Sequence, residues 1–140
     1  MALANNQALA YEYQRSQAQT ASPLRLVLML YDGAIRFLAV ARDRMGARDI
    51  EGQHTHLVKA QRILAELLSS LDREHGGEVA ANLHRLYLFM LQRLVQANLE
   101  DRQDLVDEVI RMLRELRESW AVVEASLRAA GGHAPGAEDG

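Results

Sequence analysis

Four segments of this chain repeat apolar residues at spacings of three and four, and this pattern constrains the fold strongly. In the first segment the repeating positions are Val27, Tyr31, Ala34, Leu38, Ala41 and Met45. Such spacing places the side chains on one face of an α-helix. The later stripes are Leu57, Ala60, Leu64, Leu67 and Leu71; Val79, Leu83, Leu86, Met90, Leu94 and Ala97; and Leu105, Val109, Met112, Leu116, Trp120, Val123 and Leu127. No segment alternates as a strand does, so the sequence predicts an all-α fold.

Helix start and stop signals separate the four segments. Ser22 suits an N-cap and Pro23 suits the first helical position, so the first helix is expected to begin there. The remaining predicted boundaries are an end near Gly46, a second start between Asp49 and Gln53, a stop and turn at Gly76-Gly77, and a break at residues 98–101 with Asp101 as the next N-cap. Helices of about twenty residues joined by short turns pack as an antiparallel four-helix bundle.

The ends of the chain lack this periodicity. Residues 1–21 scatter a few apolar residues among Asn, Gln and Ala, and are expected to form an N-terminal arm or a short helix. Residues 22–130 form the predicted bundle. The tail at 131–140 is rich in Gly and is expected to be disordered.

Composition excludes several functional classes. The chain has 140 residues and no Cys, so we expect one domain without disulfides, thiol nucleophiles or thiolate metal sites. A net charge of −3 argues against a nucleic-acid surface. The longest apolar run, residues 26–31, is far shorter than the ~20 residues that span a bilayer. The first residues show no basic region followed by an apolar run, so no signal peptide is predicted and a cytoplasmic location is expected.

The first and third helices carry more apolar residues than one buried stripe requires. In the first helix the extra residues are Leu24, Leu28 and Ile35 on one flank and Leu26, Leu30 and Phe37 on the other; in the third they are Tyr87, Leu88, Phe89, Leu91 and Val95. Two interpretations remain open. Each helix contacts two neighbours in a crowded core, or an exposed apolar groove binds an amphipathic helix of a partner.

The sequence predicts no catalytic or metal site. Glu51 and His54 form the only Glu-x-x-His pair, and His54 and His56 would point apart on a helix, so surface histidines are the favoured interpretation. No serine lies in an elbow motif, and no phosphate-binding glycine loop occurs. The charged residues of the fourth helix are expected to form a solvated face with i,i+4 pairs such as Asp107–Arg111 and Arg114–Glu118. We expect no enzyme activity and no cofactor.

Residues 20–38, TASPLRLVLMLYDGAIRFL, closely resemble the signature of the flagellar secretion chaperone family, FliS. Residues 57–72, 76–87 and 113–120 resemble later parts of that family. The resemblance implies an antiparallel four-helix bundle whose N-terminal segment covers part of the binding surface. It also implies a cytosolic bacterial chaperone without catalysis or cofactor, which binds the C-terminal region of flagellin, prevents premature polymerisation and aids delivery to the type III export apparatus. Export-gate components are further expected partners.

The resemblance also suggests partner-binding residues. Tyr11 matches the family's N-terminal tyrosine and is expected to cover the empty groove, although Tyr13 competes for that match. Residues 31–35 match the central motif: Tyr31 is a core or a binding residue, and Asp32 pairs with Arg36 or contacts partner backbone. Gly33 marks a close helix crossing or a chain passing over it. The full set of expected binding residues is Tyr11, Leu28, Tyr31, Asp32, Ile35, Asn82 and Tyr87, of which Asn82 and Tyr87 line or support the neighbouring helix.

Two other functional classes stay open beside the chaperone. A helical adaptor or dimerising bundle would use the extra apolar surface for self-association, and the free chaperone itself is expected to be a monomer or a weak homodimer. A metal-dependent bundle enzyme would retain bound metal after purification.

Overall fold

The computed structural model describes residues 22–133, with side chains described as far as Gly131. These residues form four helices: α1 (Pro23–Gly46), α2 (Ile50–Ser69), α3 (Gly77–Glu100) and α4 (Gln103–His133). No strand occurs within residues 22–133, and the all-α prediction is confirmed. The predicted arm at 1–21 and all but the start of the predicted tail lie outside the described residues. Helix α4 continues to His133, and so includes the first three residues assigned to that tail.

Two compact units divide the described residues. One contains residues 30–118 and therefore parts of all four helices. The other contains residues 22–29 and 119–133, which are the first turns of α1 and the last part of α4.

Side-chain caps begin the first two helices. The Ser22 hydroxyl oxygen accepts a hydrogen bond from the amide of Arg25 at 3.1 Å, which satisfies one of the free N–H groups of α1. Asp49 does the same for α2, since its Oδ1 accepts from the amide of Gly52 at 3.0 Å. The predicted start signals of both helices are therefore confirmed.

Two predicted boundaries were wrong. Helix α2 ends at Ser69, so Leu71 lies beyond the helix to whose stripe it was assigned. Asp101 does not cap α4. It closes α3 in a left-handed conformation with φ 54°, and its N–H donates to the carbonyl oxygen of Ala97. Aspartate tolerates this conformation better than most residues, and only Arg102 separates Asp101 from the start of α4.

Within residues 30–118, consecutive helices pack antiparallel to each other, and α4 packs antiparallel to α1. A methyl group added at Gly33 would lie 3.2 Å from Ile63 Cδ1, so α1 and α2 approach closely there. Arg42 on α1 pairs with Asp107 near the start of α4, at 2.5 Å. Arg93 on α3 lies 3.2 Å from Glu108 on α4. These pairs, with the contact between α2 and α3, define an antiparallel four-helix bundle.

Polar side chains connect the end of the bundle where both short connections lie. Gln53 is buried, and its Nε2 donates to Asp101 Oδ1 at 2.9 Å and to Asn98 Oδ1 at 3.1 Å. Asn98 also bonds to His54 Nδ1 at 2.9 Å. Gln103 Nε2 donates to the carbonyl oxygen of Arg42 at 2.9 Å, which links α4 to α1.

The buried stripes agree with the sequence on α2 and on most of α1 and α3, but the stripe is rotated on α4. Buried residues on α3 include Ala80 and Tyr87, whereas Val79 is exposed. On α4 the buried apolar residues are Leu105, Val106, Val109, Ile110 and Leu113. Tyr87 is thus a core residue, although the sequence assigned it to the apolar surplus.

Candidate partner-binding site

Two of the expected binding residues, Tyr31 and Tyr87, meet inside the bundle. Their hydroxyl oxygens are 2.6 Å apart, and their rings pack edge to face with centroids 6.5 Å apart. Both side chains are buried. Burial, and then the neighbouring Tyr31, raise the pKa of Tyr87 above that of a free phenol. The pair therefore holds α1 against α3, and neither ring reaches the surface of this structure.

Asp32 has a different partner from the one that the sequence suggested. Its carboxylate accepts two hydrogen bonds from Arg117 on α4, from Nε at 2.5 Å and from Nη2 at 3.2 Å. This hydrogen bonding raises the pKa of Arg117. The expected pair with Arg36 is thus replaced by a bidentate bridge between α1 and α4, which is the geometry that guanidinium and carboxylate groups favour.

The other expected binding residues are dispersed. Leu28 is buried and Ile35 is half-buried. Asn82 is exposed on α3, where its Oδ1 accepts a hydrogen bond from Arg85. Tyr11 lies outside the described residues. The structure therefore does not gather the expected residues into one surface patch.

An exposed row of apolar residues does run along α3. We call Leu88, Leu91, Val95 and Leu99 the α3 apolar stripe; their spacings of three, four and four place them on one helix face. Leu88, Val95 and Leu99 are 39%, 49% and 80% exposed. The sequence identified Leu88, Leu91 and Val95 as surplus but missed Leu99, which it placed within the predicted break at residues 98–101.

The α3 apolar stripe lies on the side of α3 that flanks α2. Asn98 is adjacent to the stripe on the helix surface, and it bonds to His54 on α2. The row that continues from His54 along α2 contains Val58, which is half-buried, and Ala65, which is exposed. Because residues three and four apart share a helix face, these side chains extend the apolar surface from α3 onto α2.

A second set of exposed apolar residues lies near the end of α4, in the unit of residues 22–29 and 119–133. Val122, Val123 and Leu127 are exposed. Assigning Val123 and Leu127 to a buried stripe was therefore wrong for this structure. In the described part of that unit, the first turns of α1 are the residues that accompany the end of α4. Glu124 and Arg128, both on α4, form an ion pair with each other.

The two histidines considered as metal ligands form hydrogen bonds with protein groups. His56 Nδ1 bonds to the Gly52 carbonyl oxygen at 2.8 Å, and His54 bonds to Asn98 as described. Within the described part of the chain, no three His, Asp or Glu side chains group as a metal site would require. No described helix combines the length and the apolar character needed to cross a membrane.

An antiparallel helical bundle with an uncovered apolar stripe has the architecture of a helical binding protein, since such stripes accommodate amphipathic helices. The family model described as "Flagellar protein FliS" matches residues 4–127. The chain belongs to this FliS family.

Several curated relatives support this assignment. The chain is 41% identical over 116 residues to the flagellar secretion chaperone FliS of Campylobacter jejuni, covering 82% of this chain and 91% of the relative. It is 40% identical over 106 residues to the protein of the same name from Salmonella typhimurium, covering 75% and 78%. A crystal structure of a bacterial flagellar chaperone shares the fold, with a TM-score of 0.69 at 16% identity over 81% of this chain and 95% of that one.

Proposed function

We propose that this protein is a cytoplasmic flagellar secretion chaperone that binds the C-terminal region of flagellin, prevents its premature polymerisation and aids its delivery to the export apparatus. The observation that carries the proposal is the exposed α3 apolar stripe in a member of the FliS family. Relatives that match most of the chain are named flagellar secretion chaperones, which supports a chaperone role over catalysis.

The α3 apolar stripe has the dimensions of a helix-docking surface. Leu88 and Leu99 are eleven residues apart, which corresponds to about 16 Å, or three turns, along α3. A client helix with apolar residues at spacings of three and four matches this length. Ordering a disordered client costs roughly 2–5 kcal/mol or more, whereas each fully buried aliphatic side chain contributes about 1.5–3 kcal/mol. Several anchors are therefore required, and a long shallow surface supplies them.

The residues that the family resemblance suggested have two roles in this proposal. Tyr31 and Tyr87 are buried within residues 30–118, so they support the bundle that carries the α3 apolar stripe. Leu28 is also buried, and it belongs to the unit of residues 22–29 and 119–133. Asp32, Ile35 and Asn82 contact the client where a long segment passes beyond the stripe. Tyr11, from the N-terminal arm, covers the groove until the client arrives. Export-gate components are further partners of the loaded chaperone.

Calorimetric titration with a C-terminal flagellin peptide from the same organism tests the proposal. We expect one-to-one binding with a strongly negative heat-capacity change, because apolar surface is buried and the peptide folds. Val95→Asp is expected to weaken binding at least tenfold, about 1.4 kcal/mol, by placing a charge in the apolar contact. Val79→Asp is the matched control, since Val79 is an exposed valine of α3 outside the stripe.

The outcomes separate the parts of the proposal. Equal affinities for Val95→Asp and Val79→Asp would show that the client binds elsewhere on the chaperone. No heat and no mobility shift with the unmodified protein would contradict flagellin as the client.

Self-association through the same stripe is the second candidate function. The exposure of Leu99, at 80%, favours it, because uncovered aliphatic side chains of this kind also form interfaces between copies. Sedimentation equilibrium of the unmodified protein and of Val95→Asp distinguishes this function. A dimer that dissociates in the variant, without any flagellin binding, would replace the chaperone proposal.

A further inference from the structure

A cleft of about 400 Å³ lies between α1 and α4, on a different pair of helices from the α3 apolar stripe. Its lining residues are Ala39, Arg42, Asp43, Asp107, Ile110, Arg111 and Arg114. Ala39 and Ile110 supply the apolar part of this lining, and the small side chain of Ala39 leaves the space open. We call this feature the α1–α4 cleft.

Two ion-pair bridges connect α1 and α4, one at the cleft and one beyond it. Arg42 pairs with Asp107, and Asp32 pairs with Arg117. The bridging residues are ten positions apart on each helix, which corresponds to about 15 Å. At ~3.3 Å per residue, an extended segment of about four residues fits between them.

Charges within the α1–α4 cleft are unevenly paired. Asp107 is held by Arg42, and the same Arg42 is attracted to Asp43; both effects raise the pKa of Arg42, the hydrogen bond to Asp107 most strongly. Asp43 and Asp107, the two carboxylates of the cleft, therefore both interact with the guanidinium of Arg42. Arg111 and Arg114 take part in no ion pair with any described residue, contrary to the expected pairs with Asp107 and Glu118.

Two unpaired guanidinium groups beside an apolar lining match one ligand chemistry. Arg111 and Arg114 are three residues apart and so lie on the same face of α4, where their like charges disfavour the helix slightly. A carboxylate placed between them removes that repulsion and accepts paired N–H donors from either guanidinium. An aliphatic side chain next to the carboxylate then covers Ala39 and Ile110.

We propose that the α1–α4 cleft binds a short acidic segment of a partner protein, with glutamate or aspartate on Arg111 and Arg114 and an aliphatic residue over Ala39 and Ile110. This site is separate from the α3 apolar stripe and does not depend on flagellin binding. The charge complementarity is local, because the chain as a whole carries a net charge of −3.

A blocked peptide of alternating glutamate and leucine is the probe, and the same peptide with glutamine in place of glutamate is its control. We expect the acidic peptide to bind and to shift the methyl resonances of Ala39 and Ile110 in NMR spectra. Raising the salt concentration should weaken binding, since exposed charges are screened. Shifts confined to other methyl groups, or equal binding of the glutamine peptide, would overturn the proposal.

The variant Arg111→Glu with Arg114→Glu is expected to weaken binding of the acidic peptide on the order of tenfold, because two ion pairs of up to about 1 kcal/mol each are lost. Arg62→Glu with Arg73→Glu is the matched control, with the same change in net charge at two exposed arginines outside the cleft. Equal weakening in both variants would show a net-charge effect only. If the first variant fails to fold, Arg111→Gln with Arg114→Gln makes the same comparison.

Titration of both variants with the flagellin peptide keeps this proposal distinct from the proposed function. Retained flagellin binding alongside lost acidic-peptide binding supports two separate sites. Displacement of the acidic peptide by flagellin would overturn the separate site. Absence of flagellin binding would contradict only the client assignment.

Discussion

Gly33 allows α1 and α2 to approach closely because it has no side chain. A Cβ atom there would lie 3.2 Å from Ile63 Cδ1, which is closer than carbon atoms normally pack. The glycine in the middle of α1 therefore lets α2 approach, at a cost of about 0.5–1 kcal/mol in helix propensity relative to alanine. The crossing was one of the two readings that the sequence offered for this position.

Gly33→Val is expected to destabilise the protein by about 1–3 kcal/mol, because the added methyl groups overpack the α1–α2 contact. Urea denaturation followed by circular dichroism measures this change. The double variant Gly33→Val with Ile63→Ala should recover part of the loss, since the space vacated by Ile63 accepts the new side chain. Additive losses in the double variant would mean that the two residues do not share this contact.

Single residues also show that the sequence could not predict which charged side chains form ion pairs. Within one helix, Arg36 is the visible i,i+4 partner for Asp32, yet the observed partner Arg117 is 85 positions away. The choice depends on how α1 and α4 are aligned, and no local spacing encodes that alignment. Likewise Asp107 pairs with Arg42 rather than with Arg111 on its own helix.

At the scale of helices, side-chain chemistry predicted the starts of α1 and α2 but not that of α4. Ser22 and Asp49 cap α1 and α2 through side-chain oxygens, as their residue types indicate. Asp101 was misassigned because aspartate suits both an N-cap and a left-handed turn. On α3, Ala80 and Tyr87 are buried in place of the predicted Val79 and Leu86, because apolar residues occupy both candidate rows. Tyr87 pairs with Tyr31 on α1.

Asp49→Ala should destabilise the protein by about 1 kcal/mol through loss of the α2 cap. Hydrogen exchange should then accelerate at the amide of Gly52, which loses its acceptor. Asp49→Asn is the control, because asparagine caps equally well but removes the charge that lies 3.6 Å from Arg44. A loss as large in Asp49→Asn would assign the effect to that ion pair rather than to the cap.

For the molecule as far as residues 22–133 describe it, the sequence predicted four helices, their order and the presence of surplus apolar surface. It did not predict which surplus stays exposed. Tyr87 and Leu88 are adjacent in sequence and both were assigned to the surplus, yet one is in the core and the other is 39% exposed. That difference depends on the rotation of α3 about its axis, which only the packing of all four helices decides.

The Tyr31–Tyr87 pair joins α1 and α3 across the bundle, and it predicts alkaline sensitivity. The folded protein raises the pKa of Tyr87, whereas an unfolded tyrosine titrates near ~10. Above that pH the unfolded chain loses a proton that the folded chain keeps, so stability falls as pH rises. The slope for one group reaches about 1.4 kcal/mol per pH unit.

Tyr87→Phe should flatten this decline while lowering stability at neutral pH by about 0.5–1.5 kcal/mol, since a hydrogen bond is lost. Urea denaturation across the alkaline range measures both effects. An unchanged slope in Tyr87→Phe would show that Tyr87 is not the group responsible.

The polar network of Gln53, Asn98, Asp101 and His54, with the bond from Gln103 to Arg42, connects the helices at one end of residues 30–118. Both short connections lie at that end, while residues 70–76 join α2 to α3 at the other. Because these bonds restrain the helices there, we expect slower amide hydrogen exchange at this end of residues 30–118 than next to residues 70–76.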